Sequence, residues 1–130
     1  MTRALDFELV DDAAKATEHY VRAVNAGDVD AVARFYTEDA IAVRDGQPLS
    51  GQALRAHLVE FIGKRPAMTA TAKHIYEAGD ATLLVTEWTV DLPGENGETE
   101  HFEGLGLDVL RRGEDNKWRY AVDDPESENH

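Results

Sequence analysis

The side chains best placed to do chemistry in this sequence are two aspartates, Asp108 and Asp123, in neighbouring alternating segments, Glu100 to Arg112 and Lys117 to Val122 with the residues that follow. If the loop Gly113 to Asn116 joins the two segments as an antiparallel hairpin, Leu110 stands opposite Arg119, Asp108 opposite Ala121 and Gly106 opposite Asp123. The aspartates are then diagonal neighbours on one face, about 7 to 8 Å apart. Where that face turns inward, the small residues Gly104, Gly106 and Ala121 leave an unfilled volume in which burial and like charge both raise a carboxyl pKa; where it meets water, the two are ordinary strand aspartates. A buried pair of that kind is suited to moving protons. Arg44 either pairs with Asp123, holds an anionic ligand, or is a surface arginine at the start of a loop. His57, beside the apolar stripe of a helix, and His74, on a strand, are each either a general acid or base or a hydrogen-bonded core or rim residue. His101 and Glu103 alternate on one strand, too small a cluster for a metal site, and no metal is expected. Phe35, Phe61, Trp88 and Leu110 suit the walls of a pocket for a small hydrophobic or ring-containing molecule, and suit an ordinary core equally. There is no glycine-rich phosphate loop, nucleophile elbow or dinucleotide fingerprint. Gly104-Leu105-Gly106 lies inside a strand and reads as a bend or bulge, so any chemistry is expected to need no cofactor.

The elements that must position these residues follow from periodicity. Asp11 or Asp12 caps a helix with Ala13, Ala16, Tyr20, Ala23 and Val24 on one face, and Gly27 ends it. Asp28 caps a second helix with Val29, Val32, Ala33 and Tyr36 on one side and Phe35 beside them, so the two helices form a tight hairpin. Ala40 to Arg44 is a short strand closed by the turn Asp45, Gly46, Gln47 and Pro48. Ser50 or Gly51 caps a third helix with the stripe Leu54, Leu58, Phe61 and Ile62, stopped by Gly63 and Pro66. The period then changes to strands: Met68 to Ala78, Ala81 to Asp91, Glu100 to Arg112 and Lys117 to Val122, separated by turn residues as a meander. Pro125 to His130 reads as a polar tail.

At 130 residues the chain is expected to be a single domain, 1–130, with its core at about 11–124. It has no cysteine, which excludes disulfides and thiolate metal sites and mildly favours a reducing, cytoplasmic home. Met1 to Val10 lacks the apolar run of a secretory signal, and no later window is apolar enough to span a bilayer. Twenty-six acidic against thirteen basic side chains give a formal charge of −13. A field of that sign repels phosphate backbones and anionic membranes, so neither nucleic acid nor membrane is an expected partner.

The order helix hairpin, short strand, third helix, meander is joined by local marks: Tyr20 to Asp28 (YVRAVNAGD), Ala31 to Ala40 (AVARFYTEDA), Gly46 to Gly51 (GQPLSG), and Leu107 to Arg112 (LDVLRR) followed by a turn and Trp118-Arg119. Together, over roughly Asp11 to Asp124, they resemble the nuclear transport factor 2-like superfamily, particularly its SnoaL-like and ketosteroid-isomerase-like branch. That resemblance implies an α+β fold in which three N-terminal helices pack on a curved, mostly antiparallel, cone-like sheet, with a pocket at the open end and dimerisation through the outer sheet face. It also matches Tyr20 to the tyrosine that ketosteroid isomerases use as an oxyanion donor, and Asp108 to the aspartic acid that joins it. A phenol and a protonated carboxyl can both donate to a developing enolate oxygen. At the family's general-base position, counted without gaps from Tyr20, this chain has Arg44, whose guanidinium stays charged and cannot abstract a proton. Asp123 is then the alternative base.

In the assumed register one face of the last hairpin carries Leu105, Leu107, Val109, Trp118, Tyr120 and Val122. The other carries Gly104, Gly106, Asp108, Leu110, Arg119, Ala121 and Asp123. The resemblance turns the mixed face inward and leaves the apolar one for a second subunit, a homodimer. The superfamily hosts isomerases, dehydratases, cyclases and non-enzymatic binders, so function stays open between three classes. These are a cofactor-independent isomerase, dehydratase or cyclase acting on a carbonyl compound, with catalytic Tyr20, Asp108 and Asp123; a ligand-binding or sensing protein; and a dimeric interaction module.

Overall fold

The computed structural model describes residues 8–129. The expectation for Met1 to Val10 therefore falls largely outside the described residues, as does His130. Asp12 accepts a hydrogen bond from the Ala14 amide (3.0 Å) and starts a single 3-10 turn that runs into α1, Ala16–Ala26. Gly27 closes α1 in the left-handed conformation (φ 74°), its amide donating to the Ala23 and Val24 carbonyls. Asp28 at once caps α2, Val29–Arg34, through the Ala31 amide at 3.0 Å. The expected hairpin of helices is present, but α2 ends two residues before its apolar pattern suggested. Tyr36 is not on its stripe; it opens strand β1, Tyr36–Arg44. The Phe35 carbonyl accepts the Tyr120 amide at 2.6 Å, and Tyr36 pairs with Tyr120 in the sheet, so strand hydrogen bonding takes residues whose helical propensity is weak.

The turn after β1 is also tighter than expected. Asp45 and Gly46, both left-handed (φ 52° and 73°), make a two-residue hairpin into β2, Gln47–Leu49. Gln47 and Pro48 are thus edge-strand residues, where a proline costs no ladder bond. Helix α3, Gly51–Gly63, follows Ser50 and buries Leu54, Leu58 and Ile62. The meander then consists of β3, Ala67–Ala78, β4, Ala81–Pro93, β5, Thr99–Arg112, and β6, Trp118–Asp124. Spatial order in the single unclosed sheet is β2-β1-β6-β5-β4-β3, antiparallel throughout except for β1 with β6. Helices and inner sheet face enclose one core that includes Val24, Val32, Phe35, Leu58, Leu84, Leu110, Trp118 and Tyr120. This is the expected α+β fold.

The register of the last hairpin differs from the unbroken pairing the sequence suggested. Arg112 pairs with Trp118 and Leu110 with Tyr120, yet Val109 pairs with Val122, so Ala121 is an extra residue, a bulge. Before the bulge the register is one residue away from that expected; after it, two. Trp118 and Tyr120 therefore point inward (each 4% exposed), while Arg119 faces out and pairs with Asp115 at 2.7 Å. The bulge restores phase so that Asp123 also points inward. Burial of two large aromatic side chains, with the Trp118 amide donating to the Val10 carbonyl (2.9 Å), is the gain that selects this pairing.

Gly104-Leu105-Gly106 forms no bulge, since β4 and β5 pair without interruption from Ala81↔Arg111 to Pro93↔Thr99. Nor do the glycines leave free space. A Cβ on Gly104 would lie 3.0 Å from the Trp88 ring, and one on Gly106 would lie 3.1 Å from the Pro125 backbone. Each glycine admits a close neighbour. On the outer face the paired residues Ile41, Val122, Val109, Leu83 and Tyr76 form an apolar row across five strands, flanked by Leu107. Ile41, Tyr76 and Leu107 are 41%, 58% and 40% exposed.

The bulge sets which side chains of β6 hold the core. Trp118→Ala is expected to cost about 3 to 5 kcal/mol and Arg119→Ala less than about 1 kcal/mol in chemical denaturation. The opposite ranking would mean that the chain pairs in the unbulged register.

Candidate functional site

Between the helices and the inner sheet face lies a cavity of about 360 Å³. Its wall is largely apolar: Phe61, Met68, Trp88, Val90 and Phe102 among others, with Phe102 exposed at one end. At the buried end the polar groups converge: Tyr20, Arg44, His57, Thr86, Asp108 and Asp123. Of the residues expected to line a pocket, Arg44, His57, Phe61 and Trp88 do. Phe35 and Leu110 do not. Both are fully buried and belong to the core behind the wall.

Strand pairing places Asp108 directly opposite Asp123, closer than the diagonal arrangement expected, because the bulge at Ala121 shifts β6. The two carboxyls are hydrogen-bonded to one another. Two carboxylates cannot both ionise at that separation. Burial raises the Asp108 carboxyl well above the ordinary range; the negative Asp123 and the hydrogen bond to it add to the effect, and a hydrogen bond from Thr86 Oγ1 (3.0 Å) only partly opposes it. Asp108 is the protonated partner and donates to Asp123. Burial also opposes ionisation of Asp123, but the Arg44 charge and hydrogen bonds from Asp108, Tyr36 and Arg44 outweigh it and hold Asp123 below the ordinary value. Tyr36 Oη donates to Asp123 Oδ2 at 2.7 Å, and Arg44 Nη2 donates to the same oxygen at 3.1 Å.

Arg44 is thereby committed within the protein. Its Nε donates to His57 Nε2 at 3.0 Å and its Nη1 to the Val43 carbonyl at 2.8 Å. His57 accepts, so its Nε2 carries no proton; burial, then the Arg44 charge, lower its pKa and keep it neutral. Its ring stacks on Phe61, 6.2 Å between centroids with planes 5° apart. The charges at the buried end therefore sum to zero: Arg44 cancels Asp123, while Asp108 and His57 are neutral. Among the alternatives left open for Arg44, the pairing with Asp123 is the one present.

Tyr20 lines the cavity, and its hydroxyl lies 2.9 Å from that of Tyr36. Since the Tyr36 proton goes to Asp123, Tyr20 is the donor of this pair. Burial, reinforced by the Asp123 charge, raises its pKa, so it stays a phenol. The chain of hydrogen bonds thus runs Tyr20, Tyr36, Asp123, with Arg44 and Asp108 entering from either side. His74 lies outside the cavity, exposed and stacked with Tyr76. His101 is also outside, bridging Asp91 (2.5 Å) and Glu103 (2.8 Å) on an exposed part of the sheet. Among the described residues no group of three or more histidine and carboxylate side chains is arranged to hold a metal.

Several residues of the cavity wall, and Tyr36 behind it, are not evident from the sequence pattern. Tyr36 was hidden by its fit to a helical stripe, although the aromatic and β-branched pair Tyr36-Thr37 favours a strand. Tyr120 was assigned outward because a bulge leaves no mark in the hydrophobic alternation. Thr86 was available from the inward alternation Thr82, Leu84, Thr86, Trp88, Val90. Pro125 and Glu126, read as part of a polar tail, line the cavity at its rim.

The sequence matches the family model of the SnoaL-like domain over residues 17–121. No curated protein matches it in sequence. Solved structures share the fold at low identity. A nuclear transport factor 2-like superfamily protein from Salmonella enterica serovar Typhimurium superposes with TM-score 0.74 at 14% identity, over 95% of this chain and 91% of that one. A ketosteroid isomerase-like protein from Erwinia carotovora atroseptica gives 0.71 at 19%, over 86% and 88%. A suggested dehydratase of the same superfamily from Streptomyces avermitilis gives 0.70 at 16%, over 81% and 86%. With its helices over a six-stranded unclosed sheet and a family match across most of its length, the chain belongs to the SnoaL-like family of the nuclear transport factor 2-like superfamily.

Proposed function

We propose that this protein binds a small, neutral, largely apolar molecule in the cavity, with a carbonyl or comparable acceptor at the Asp108 end. Asp108 and Asp123 act there as a proton-sharing pair in isomerisation, dehydration or cyclisation without a cofactor. The observation that carries the reading is two directly opposed aspartates at the buried end of an apolar cavity, Asp123 held by Tyr36 and Arg44 and Asp108 by Thr86. Asp108 gives its proton to the acceptor oxygen while Asp123 takes one from the adjacent carbon of the bound molecule, and return of both protons to the shifted positions leaves the pair holding one proton, as at the start. Tyr20 acts through Tyr36 as a positioning residue for Asp123. Arg44 serves as its counter-ion, since a lone carboxylate in this setting would be driven to protonate. The likeness to a ketosteroid isomerase-like protein and a suggested dehydratase supports the reaction class as far as shared fold can.

A second reading, binding without turnover, is favoured by one specific feature. Three donors converge on Asp123 and lower its basicity, and His57 Nε2 is occupied by Arg44. The variant Asp108→Asn separates the two readings. Its amide still donates to Asp123 but cannot give up a proton. An enzyme keeps the molecule that co-purifies with it, identified by denaturing mass spectrometry, and loses turnover by about 100-fold or more. A binder has no turnover to lose.

The protein also forms a homodimer in this reading, with the row from Ile41 to Tyr76 covered by a second copy. An exposed apolar stripe across five strands is unusual for a monomer. In sedimentation at micromolar concentration we expect a dimer that Leu107→Asp or Val109→Asp converts to monomer; a monomer indifferent to both substitutions would leave the row without this role.

Charge balance predicts ligand class. Calorimetric titration should show 2-acetylnaphthalene binding about tenfold or more tightly than 2-naphthoate at neutral pH, because the anion finds no uncommitted cation and must be desolvated. Preference for the naphthoate would mean that Arg44 is free to serve ligands, contrary to its pairing with Asp123.

A further inference from the structure

The segment after β6 does not trail into solvent. Pro125 stands against Gly106, and its carbonyl accepts the Trp88 indole N–H at 3.0 Å. The Glu126 carboxylate reaches across to the β1–β2 turn, where Oε2 accepts the Asp45 amide (2.6 Å) and Oε1 the Gly46 amide (3.0 Å). Beyond it Ser127 Oγ donates to the Leu105 carbonyl (2.5 Å), and Glu128 Oε1 accepts the Leu105 amide (2.9 Å). Asp45, Pro125 and Glu126 all line the cavity. The strap therefore joins two parts of the rim, the β1–β2 turn and the β5 edge of the inner face.

We infer that Pro125–Asn129 is the gate of the cavity and that Glu126 is its latch. The turn is suited to this use. Asp45 and Gly46 are consecutive left-handed residues whose amides need an acceptor, and one carboxylate satisfies both with charge-assisted bonds. Elsewhere the strap is held by a hydrogen bond from Trp88 of β4, two with Leu105 of β5 and one from the Glu126 amide to Asp124 Oδ1 (3.0 Å), so it stays attached behind when the Glu126 carboxylate leaves the β1–β2 turn. Gly106 is the seat: a methyl group there would meet the Pro125 Cα and the Asp124 carbonyl at 3.1 Å and lift the strap from the opposite side. Glu126 and Gly106 thus control access independently of what the aspartate pair does to a bound molecule.

The test needs no ligand. The chain has two tryptophans; Trp118 is 4% exposed, whereas Trp88 lines the cavity beneath the strap, so quenching by neutral acrylamide reports Trp88. Glu126→Ala is expected to accelerate amide exchange at Asp45 and Gly46 by about tenfold or more, as hydrogen bonds to a charged acceptor are lost, and to raise acrylamide quenching. Gly106→Ala should raise quenching as well, with Glu126 intact. Asp108→Asn should change neither readout, which separates the gate from the chemistry. Unchanged exchange in Glu126→Ala, or faster exchange with Trp88 quenched no more than before in both variants, would overturn the inference. If Glu126→Ala lowers global stability, the same two readouts in Glu126→Gln decide, since it keeps the size of the side chain and removes the charge.

Discussion

The arrangement depends on one constraint: an ionised carboxylate, Asp123, held in a cavity whose wall is mainly apolar. An isolated charge there would be neutralised by taking up a proton. The chain prevents this with a guanidinium from β1, a phenol from the start of the same strand and a protonated carboxyl from β5. Strand β1 brings two of these donors and β5 one, and none of the donors is local in sequence to Asp123 itself. Removing one member of such a group is far more harmful than replacing all of it, since the remaining charge is left buried and unpaired. The group also sets a pH window for stability. The Asp123 contribution is present above the ordinary aspartate pKa and is lost as pH falls through its lowered value. The Asp108 contribution is full at low pH and is lost as pH rises through its raised value.

At Arg44, the position that the resemblance matches to the base of ketosteroid isomerases, this chain carries a cation. Arg44 faces the cavity, as the resemblance implied for a residue at that place, but it brings a positive charge that must be balanced from within. Asp123 balances it. In the proposed function proton transfer falls instead to the facing strands β5 and β6, which carry Asp108 and Asp123. This also explains why the site has no cation to spare for a ligand, and why a rim carrying Asp45 and Glu126 adds no attraction for anions.

Much of this was legible in the sequence because helix caps and alternation are local signals. Asp12, Gly27, Asp28 and Ser50 mark element ends within a residue, and the inward residues of β4 and most of β5 follow period two. Asp108, Asp123, Arg44, His57 and Trp88 could be assigned to one cavity on that basis together with the family resemblance. What could not be read depends on contacts distant in sequence. The Ala121 bulge is chosen by burial of Trp118 and Tyr120, so it reassigned two aromatic residues and brought the aspartates face to face. Tyr36 suits a helix stripe until a parallel partner on β6 claims it. Gly104 and Gly106 are small for the sake of Trp88 and Pro125, which no local rule reveals. A polar C-terminal segment, similarly, becomes cavity wall only because a turn eighty residues away offers two amides to Glu126.

Directly opposed on β5 and β6, Asp108 and Asp123 form a single proton-sharing unit, one protonated and one ionised. Carboxyl-carbon NMR of aspartate-labelled protein, titrated across the acid and neutral range and repeated in Asp108→Asn and Asp123→Asn, measures this directly. Asp108 is expected to show a carboxylic-acid resonance still at neutral pH, Asp123 to be ionised below the ordinary aspartate pKa, and each substitution to shift the other residue's titration. Two ordinary aspartate titrations, each indifferent to the other's substitution, would contradict it.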